Sequence, residues 1–504
     1  MVGRVIDSLM QSYDGALDAL KTEDDKKVEA KKEGIIGNVL SKLMTDNFRR
    51  FNDSLMVYTG RKYELLKPED VVKVVYGFML RAKCGPAYMA RSVNSVCRMV
   101  MSNPFLENFK PKKNIIYMKN CVLVVGKNGE VAKEDFSPRF MSNIYLDFPY
   151  VENMGCPNWE KFLSTVLDDV NARRVLQEFL GCMFVDKDTL SIEKSMYLYG
   201  PGSNGKSVIY ETMEGMLGDN VVNAGLDQLN GKNGSDYFTA ELVGKLLAYN
   251  SDAEAKDISS GKYKQLVSKE KVMVRPIRQS PFESDDWPMF MANINKSIIT
   301  TDSSDGFWRR NIVIGFTKTF ADNPDEKLGQ LKADKSFKNS MRGEYPGIFN
   351  WILEGRRRII AQKGVFTRSR SIEEITADMR NGSTGVYAFL AAKNYTGTKP
   401  ESGIWELKRV LAKDMYYEYC QWCAENGYRD VKNISRFKED MDNAKITWKR
   451  SMKVNGQVSS GYVFYEVTPI VEVEEDAGEQ FQLGEDDDMP AEYLGDEGTD
   501  ELFD

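Results

Sequence analysis

The sequence predicts an α/β protein: a parallel-sheet core, preceded by a helical domain and followed by a small carboxy-terminal domain. Three observations predict it. Strand-like and helix-like segments alternate between residues 195 and 316, the pattern that covers both faces of one sheet with helices. Apolar residues recur at helical spacing from about Asn47 to Met101, in PEDVVKVVYGFMLRAK and YMARSVNSVCRMVM, and again in NWEKFLSTVLDDVNARRVLQEFLGCMFV at 158–185. Two runs of alternating pattern, ITWKRSMKV and GYVFYEV, flank Asn455-Gly456, a pair suited to a tight hairpin turn.

In order along the chain, residues 1–45 form a helical or linker segment whose KTEDDKKVEAKKE stretch reads as a solvated face. Residues 46–150 read as a helical domain with a small β part, NIIYMKNCVLVVGKNGEVAKEDF, turning at Lys127-Asn128-Gly129. Residues 151–365 hold the alternating core, and 366–469 are helical up to the closing hairpin. Residues 470–504 carry fifteen Asp or Glu and no Lys or Arg, and so little apolar surface that disorder is expected. The net charge of −7 therefore conceals a body, 1–469, of +8, a balance compatible with holding a polyanion.

Composition narrows the chemistry further. No run of about eighteen apolar residues predicts a membrane span. The amino terminus lacks the apolar core of a signal peptide, so a cytoplasmic setting is expected, that of a bacterium or of a virus's host. The chain has no histidine, which excludes Ser-His and Cys-His catalysis and His-ligated zinc. Seven cysteines without regular spacing argue against a disulfide framework. The single CxxC, Cys420 and Cys423, sits in a helix-like run and reads as packing rather than metal binding.

The chemistry concentrates in YLYGPGSNGKSV, 197–208. Gly200, Pro201, Gly202, Ser203, Asn204, Gly205, Lys206 and Ser207 fit GxxxxGK[ST], after the strand-like SMYLY and before the helix-like KSVIYETMEGML. Glycines cost packing and backbone entropy. Here they let main-chain N–H groups wrap a phosphate at a helix amino terminus. Lys206 is expected to reach the β- and γ-phosphates, and the Ser207 hydroxyl to ligate Mg²⁺. This predicts a nucleoside triphosphate site.

Three further stretches supply partners for such a site. GKLLAYNSDAE ends in Asp252, expected on Mg²⁺, and Glu254, expected to polarise the attacking water. The alternative reading of either is an ordinary surface carboxylate at a strand end. Asn293, near the end of MFMANIN, is placed to bond the γ-phosphate or the water. Arg309 and Arg310 precede the apolar run NIVIGF, and one of them is suited to act as an arginine finger on a neighbouring subunit's nucleotide.

These motifs in this order resemble superfamily 3 helicases, specifically the primase–helicase family of phages, plasmids and poxviruses. The resemblance spans about residues 45–467 and includes KEKVMVRPIRQSPFE at 269–283. It implies an AAA+-like ATPase core with a carboxy-terminal winged-helix domain. ATP and Mg²⁺ would be bound through Lys206, Ser207 and Asp252, with Asn293 as sensor, Arg309 as the finger in trans and Arg310 as second choice. Lys269, Lys271, Arg275 and Arg278 would line the channel of a homo-hexameric ring that translocates on single-stranded or forked DNA in the 3′ to 5′ sense. Those four cations also read as the solvated edge of a hairpin.

Departures are visible. Asp252 stands where many relatives have Glu, and Ile294-Asn295-Lys296 replaces the usual His-x-Pro. Only about 45 residues precede the family-like region, too few for the primase domain many relatives carry, so the helicase half alone is expected. A separate primase, polymerase or single-strand-binding protein is the expected partner of the acidic tail, which also reads as a DNA mimic or a plain solubilising end. Lys449, Arg450 and Lys453 would sit on the wing, touching duplex DNA or a partner. Two other functions stay open: an origin-binding initiator that uses ATP for assembly, and a protein-remodelling ATPase.

Overall fold

The structure, a computed structural model, describes residues 6, 37, 40, 41, 45, 47–81, 86–225, 235–253, 261–277, 280–298, 305–325, 330–334, 337–382, 385–400, 404–426, 428 and 431–468. The mixed α/β class expected from the sequence is observed. The expected disorder of 470–504 lies outside the described residues.

The amino-terminal region contains more β structure than the helical spacing implied. Strands β1 (Phe48–Phe51), β2 (Ser54–Tyr58) and β3 (Tyr63–Leu66) form an antiparallel sheet in that order. The runs are too short for helices and are broken by turns at Asn52 and Gly60, both at positive φ. Helices α1 (Pro68–Arg81) and α2 (Pro86–Met101) follow, as the spacing predicts. They cover one face of the sheet through Val71, Val74, Phe78 and Val96 against Phe48, Leu55 and Leu66.

A second sheet, ordered β6-β5-β4-β7, comes from β4 (Ile115–Met118), β5 (Val122–Val125), β6 (Val131–Glu134) and β7 (Tyr145–Leu146). Gly129, at φ +88°, turns β5 into β6 as the sequence indicates. Strand alternation splits this sheet between two cores. Tyr117 and Val122 face Met56, Tyr58 and Tyr63, while Ile116, Met118, Leu123 and Val125 join the core beneath α3 (Pro157–Val166) and α4 (Val170–Gly181). The domain boundary expected at 150 thus falls inside one continuous core.

The central sheet is built from β8 (Ser195–Tyr199), which leads into α5 (Lys206–Leu217), then β9 (Val221–Val222), α6 (Ser235–Leu242), β10 (Leu247–Ala253) and α7 (Gly261–Val267). After a small hairpin, β11 (Val272–Val274) with β12 (Phe282–Ser284), come β13 (Met289–Ile294), α8 (Asp305–Trp308) and β14 (Asn311–Gly315). The order across the sheet is β14-β8-β13-β10-β9, with every pair parallel. Its strands are near-continuous apolar runs because both faces are buried. Met196, Leu198, Tyr249, Met291 and Ile314 face one core, and Tyr197, Ala248, Phe290, Ala292 and Val313 face the other.

Two short strands, β15 (Phe320–Ala321) and β16 (Leu331–Lys332), and helix α9 (Phe337–Gly343) lead to α10 (Tyr345–Ala361). Helices α10 and α4 meet closely, since a side chain on Gly181 or Gly355 would strike the other helix's backbone. Arg356, 1% exposed, donates to the carbonyls of Phe184 (2.7 Å) and Gly126 (2.8 Å), tying the second sheet to the core.

The carboxy-terminal part comprises α11 (Arg370–Gly382), α12 (Gly385–Ala392), β17 (Tyr395–Thr396), β18 (Ile404–Leu411), α13 (Ala412–Glu425), α14 (Ile434–Asn443), β19 (Thr447–Val454) and β20 (Gln457–Thr468). The hairpin at Asn455-Gly456 forms, both residues at positive φ. However, β20 continues into a sheet with β18 and β17. The run IWELKRVL is therefore a strand where helix was expected; pairing along its full length with β20 overrides its intrinsic preference. Cys423 is buried on α13 and burial raises its thiol pKa. Among the described residues no cluster of His, Cys, Asp or Glu could hold a metal, and no helix is long and apolar enough to cross a membrane.

Candidate functional site

Residues 200–205 connect β8 to α5 at the carboxyl edge of the sheet, where open parallel sheets place ligands. Neighbouring strand ends pin the loop: the Gly200 amide donates to Ile294 O (3.2 Å), the Phe316 amide to Tyr199 O (2.7 Å), and the Phe320 amide to Ser203 O (2.7 Å). Its three glycines answer to different constraints. Gly205 precedes the helix at φ +89°, two residues after Ser203 at +58°, a region of backbone conformation that favours glycine. A side chain on Gly200 would strike the Phe316 carbonyl. Gly202 has no heavy atom within 4 Å of where a Cβ would sit, so its free face opens away from the protein.

Lys206 is only 5% exposed. Its ammonium donates to Gly200 O (2.6 Å), Asn204 Oδ1 (3.0 Å) and Pro201 O (3.3 Å), all neutral oxygens. Burial pushes its pKa down to about 8, and the Asp252 carboxylate opposes that drop. Asn204 is itself buried and donates to Pro201 O. Ser207, exposed on the first turn of α5, stands beside this group.

Asp252 lies exposed at the end of β10 and accepts from Asn295 Nδ2 (3.3 Å). Glu254 lies outside the described residues. Asn293 is 3% exposed; its Oδ1 accepts from Tyr249 OH (2.9 Å) and its Nδ2 donates to Ser251 O (3.1 Å). Its amide therefore cross-links β13 to β10, and Asn295, two residues on, is the amide that meets Asp252. In the sequence Asn295 stands out only as part of the departure from His-x-Pro. Its signal was its place just beyond the strand end, where a side chain leaves the packed sheet.

Arg309 and Arg310 sit at the opposite edge of the sheet, since Asn311 pairs with Ser195 at the start of β8. The five residues of β14 separate Arg310 from Phe316 beside the loop, six steps or about 20 Å at ~3.3 Å per step. Neither guanidinium serves its own chain's loop. Arg310 is engaged internally, with Ser268 Oγ (2.9 Å), Gly306 O (2.6 Å) and Glu193 (3.3 Å). Arg309 is exposed.

A hairpin forms at 272–284, with β11 and β12 antiparallel, and the described cations at 269–275 differ in their placement. Lys269 turns inward, donating to Trp287 O (2.6 Å) and Pro288 O (2.5 Å). Burial, with Lys113 nearby, holds its pKa well below the ordinary lysine value. Lys271 and Arg275 are exposed, as are Met273 and Ile277. Arg278 lies outside the described residues. One side of the hairpin leans on the first sheet, Phe282 against Phe51 at 6.2 Å, and the Ser280 amide donates to Asp53 Oδ2 (3.1 Å).

A cleft of about 1450 Å³, lined by Arg61, Lys62, Gly218, Asp219 and Asp285 among others, lies elsewhere, at the far end of α5. It contains none of the residues singled out from the sequence.

A family model described as a family of unknown function, DUF5906, matches residues 198–310, a span holding the loop, Asp252, Asn293 and both arginines. No curated protein matches the chain. Among solved structures it is similar to the A form apo structure of the NrS-1 C terminal region, with 12% identity and a TM-score of 0.47 over 85% of this chain and 98% of that one. A second apo structure of the same NrS-1 region aligns over the same shares at 12% identity and a TM-score of 0.43.

Proposed function

We propose that the protein is an ATP-hydrolysing helicase acting in DNA replication, with residues 200–207 as its phosphate-binding loop. One observation carries the reading: a buried lysine whose ammonium rests on neutral loop oxygens, beside a glycine whose open face lets a ligand approach the backbone. Incoming phosphate oxygens offer Lys206 charge-assisted bonds in place of the neutral ones it holds. Loop amides and the α5 amino terminus add positive potential at the same point. Ser207 and Asp252 would hold Mg²⁺, which supplies neutralisation of phosphate charge.

Arg309, exposed and remote from its own chain's loop, suits a finger on a neighbouring subunit's nucleotide. Lys271 and Arg275 are the described hairpin cations free to track a phosphate backbone. Asn293 acts here through position, holding the ends of β10 and β13 together, while Asn295 orients Asp252. The carboxy-terminal hairpin serves as the edge of a winged-helix-like module.

The test is ATPase and strand displacement on a forked duplex, with and without single-stranded DNA. The expected result is hydrolysis stimulated by single strands and coupled to displacement, with Lys206→Ala losing at least a hundredfold in rate. Hydrolysis indifferent to DNA would favour protein remodelling and overturn the helicase reading.

A further inference from the structure

We infer that the outward face of the carboxy-terminal sheet is a binding platform for single-stranded nucleic acid, separate from the nucleotide site. Register fixes which side chains share that face. Trp405 pairs with Val467, Leu407 with Tyr465 and Arg409 with Val463 across β18 and β20, and Lys449 pairs with Gly461 across β19 and β20. The alternate residues, Tyr462 and Phe464, are 3% and 1% exposed and pack with Phe389, Met415, Tyr419 and Phe437. None of Trp405, Leu407, Val463 and Tyr465 belongs to that core.

The face is aromatic at one end and cationic at the other. Trp405 and Tyr465 meet edge to face at 5.3 Å, and the Lys399 ammonium lies 5.0 Å from the Trp405 ring. Arg409 and Lys449 are exposed, on either side of β20. Two strand spacings separate their strands, about 10 Å, and four residue steps take Trp405 to Arg409, about 13 Å. The sheet's described carboxylates Glu406 and Glu466 occupy the alternate positions, where Lys408 bridges both. No carboxylate occupies the outward positions of the paired segments among the described residues.

That chemistry selects the occupant. A protein partner seeking apolar area has no use for three cations that meet no counter-charge among the described residues of this face. A duplex keeps its bases stacked away from Trp405 and Tyr465. A single strand offers both requirements, unstacked bases for the rings and phosphates for Lys399, Arg409 and Lys449.

The experiment uses the full chain and labelled dT30, rU30 and a 30-base-pair duplex, read by fluorescence anisotropy across a salt series. Trp405→Ala is expected to weaken single-strand affinity by about five- to a hundredfold, as for the loss of one stacked base. Arg409→Glu with Lys449→Glu is expected to lower the slope of log affinity against log salt by about one to two. Hydrolysis measured without nucleic acid should not change in either variant, and Lys206→Ala should keep this binding even if it loses hydrolysis. Tight rU30 binding would support the platform with RNA as a source. Photocrosslinking of bromouracil-containing oligonucleotide to the wild-type chain, expected at Trp405 or Tyr465, avoids dependence on a variant's folding. Unchanged single-strand affinity in both variants, equal loss for the duplex, or crosslinks confined elsewhere would overturn the platform. So would an altered sedimentation coefficient with unaltered affinity, which would mark the face as a contact between copies.

Discussion

Gly200 and Gly202 stand two residues apart in the same motif, yet their surroundings predict opposite consequences of adding one methyl group. At Gly200 a Cβ would strike the Phe316 carbonyl, so Gly200→Ala should cost stability, by about 1–3 kcal/mol for overpacking. At Gly202 nothing lies within 4 Å, so Gly202→Ala should melt within about 1 °C of wild type. The methyl would instead occupy the approach to the loop, and nucleotide affinity is expected to fall at least tenfold. Thermal melts with titration of a fluorescent ATP analogue separate the two effects. A destabilised Gly202→Ala with normal nucleotide binding would show the open face to be unused. The motif's spelling was legible in the sequence, but which glycine leaves its face open was not, because that depends on where Phe316 returns.

Helices in this chain are anchored by side chains from distant segments. Asp169 caps α4, accepting from the Asn171 amide (2.7 Å), and also accepts from the Ser369 and Ser371 hydroxyls at 2.7 Å each. Burial alone would raise its pKa, but those hydroxyls and the amides of Asn171 and Ala172 outweigh it and pull the value down to about 2. A carboxyl depressed from 3.8 contributes stability that is complete above the unfolded value and is lost as pH falls through the folded one. The structure should therefore loosen between about pH 4 and 2 through this group. Asp169→Ala is expected to cost about 1 kcal/mol near neutral pH and to flatten that part of the stability profile. Urea melts at pH 7, 4 and 2.5 check it. In the sequence Asp169 falls inside one helical run, 158–185; the structure breaks that run before Asp169, and Ser369 lies 200 residues away.

Across the whole molecule, the sheet order sets the loop and the arginine pair at opposite edges. Catalysis that uses both needs two chains. Arg309→Ala should reduce hydrolysis at least a hundredfold while leaving the melting temperature unchanged. Mixing it with Lys206→Ala should restore part of the activity, because one interface type then holds both an intact loop and an intact finger. Arg310→Ala should behave differently, lowering stability because it breaks bonds to Ser268, Gly306 and Glu193. Rates of the two variants, alone and mixed, with their melts, decide the assignment. Normal hydrolysis by Arg309→Ala would remove the interface from the mechanism.

The α/β class, the strand–loop–helix around Lys206, the turns at Gly129 and Asn455-Gly456, and the helices at 68–101 and 158–181 follow from the sequence. Each depends on local periodicity, turn chemistry or a short motif. The strands at 48–66 and 404–411, the division of the second sheet between two cores, the inward turn of Lys269 and the internal bonding of Asn293 were decided by tertiary structure. A side chain's partner is set by which strand lies next to it and which face the pleat gives it. Those are properties of chain return over tens to hundreds of residues, and no local window contains them.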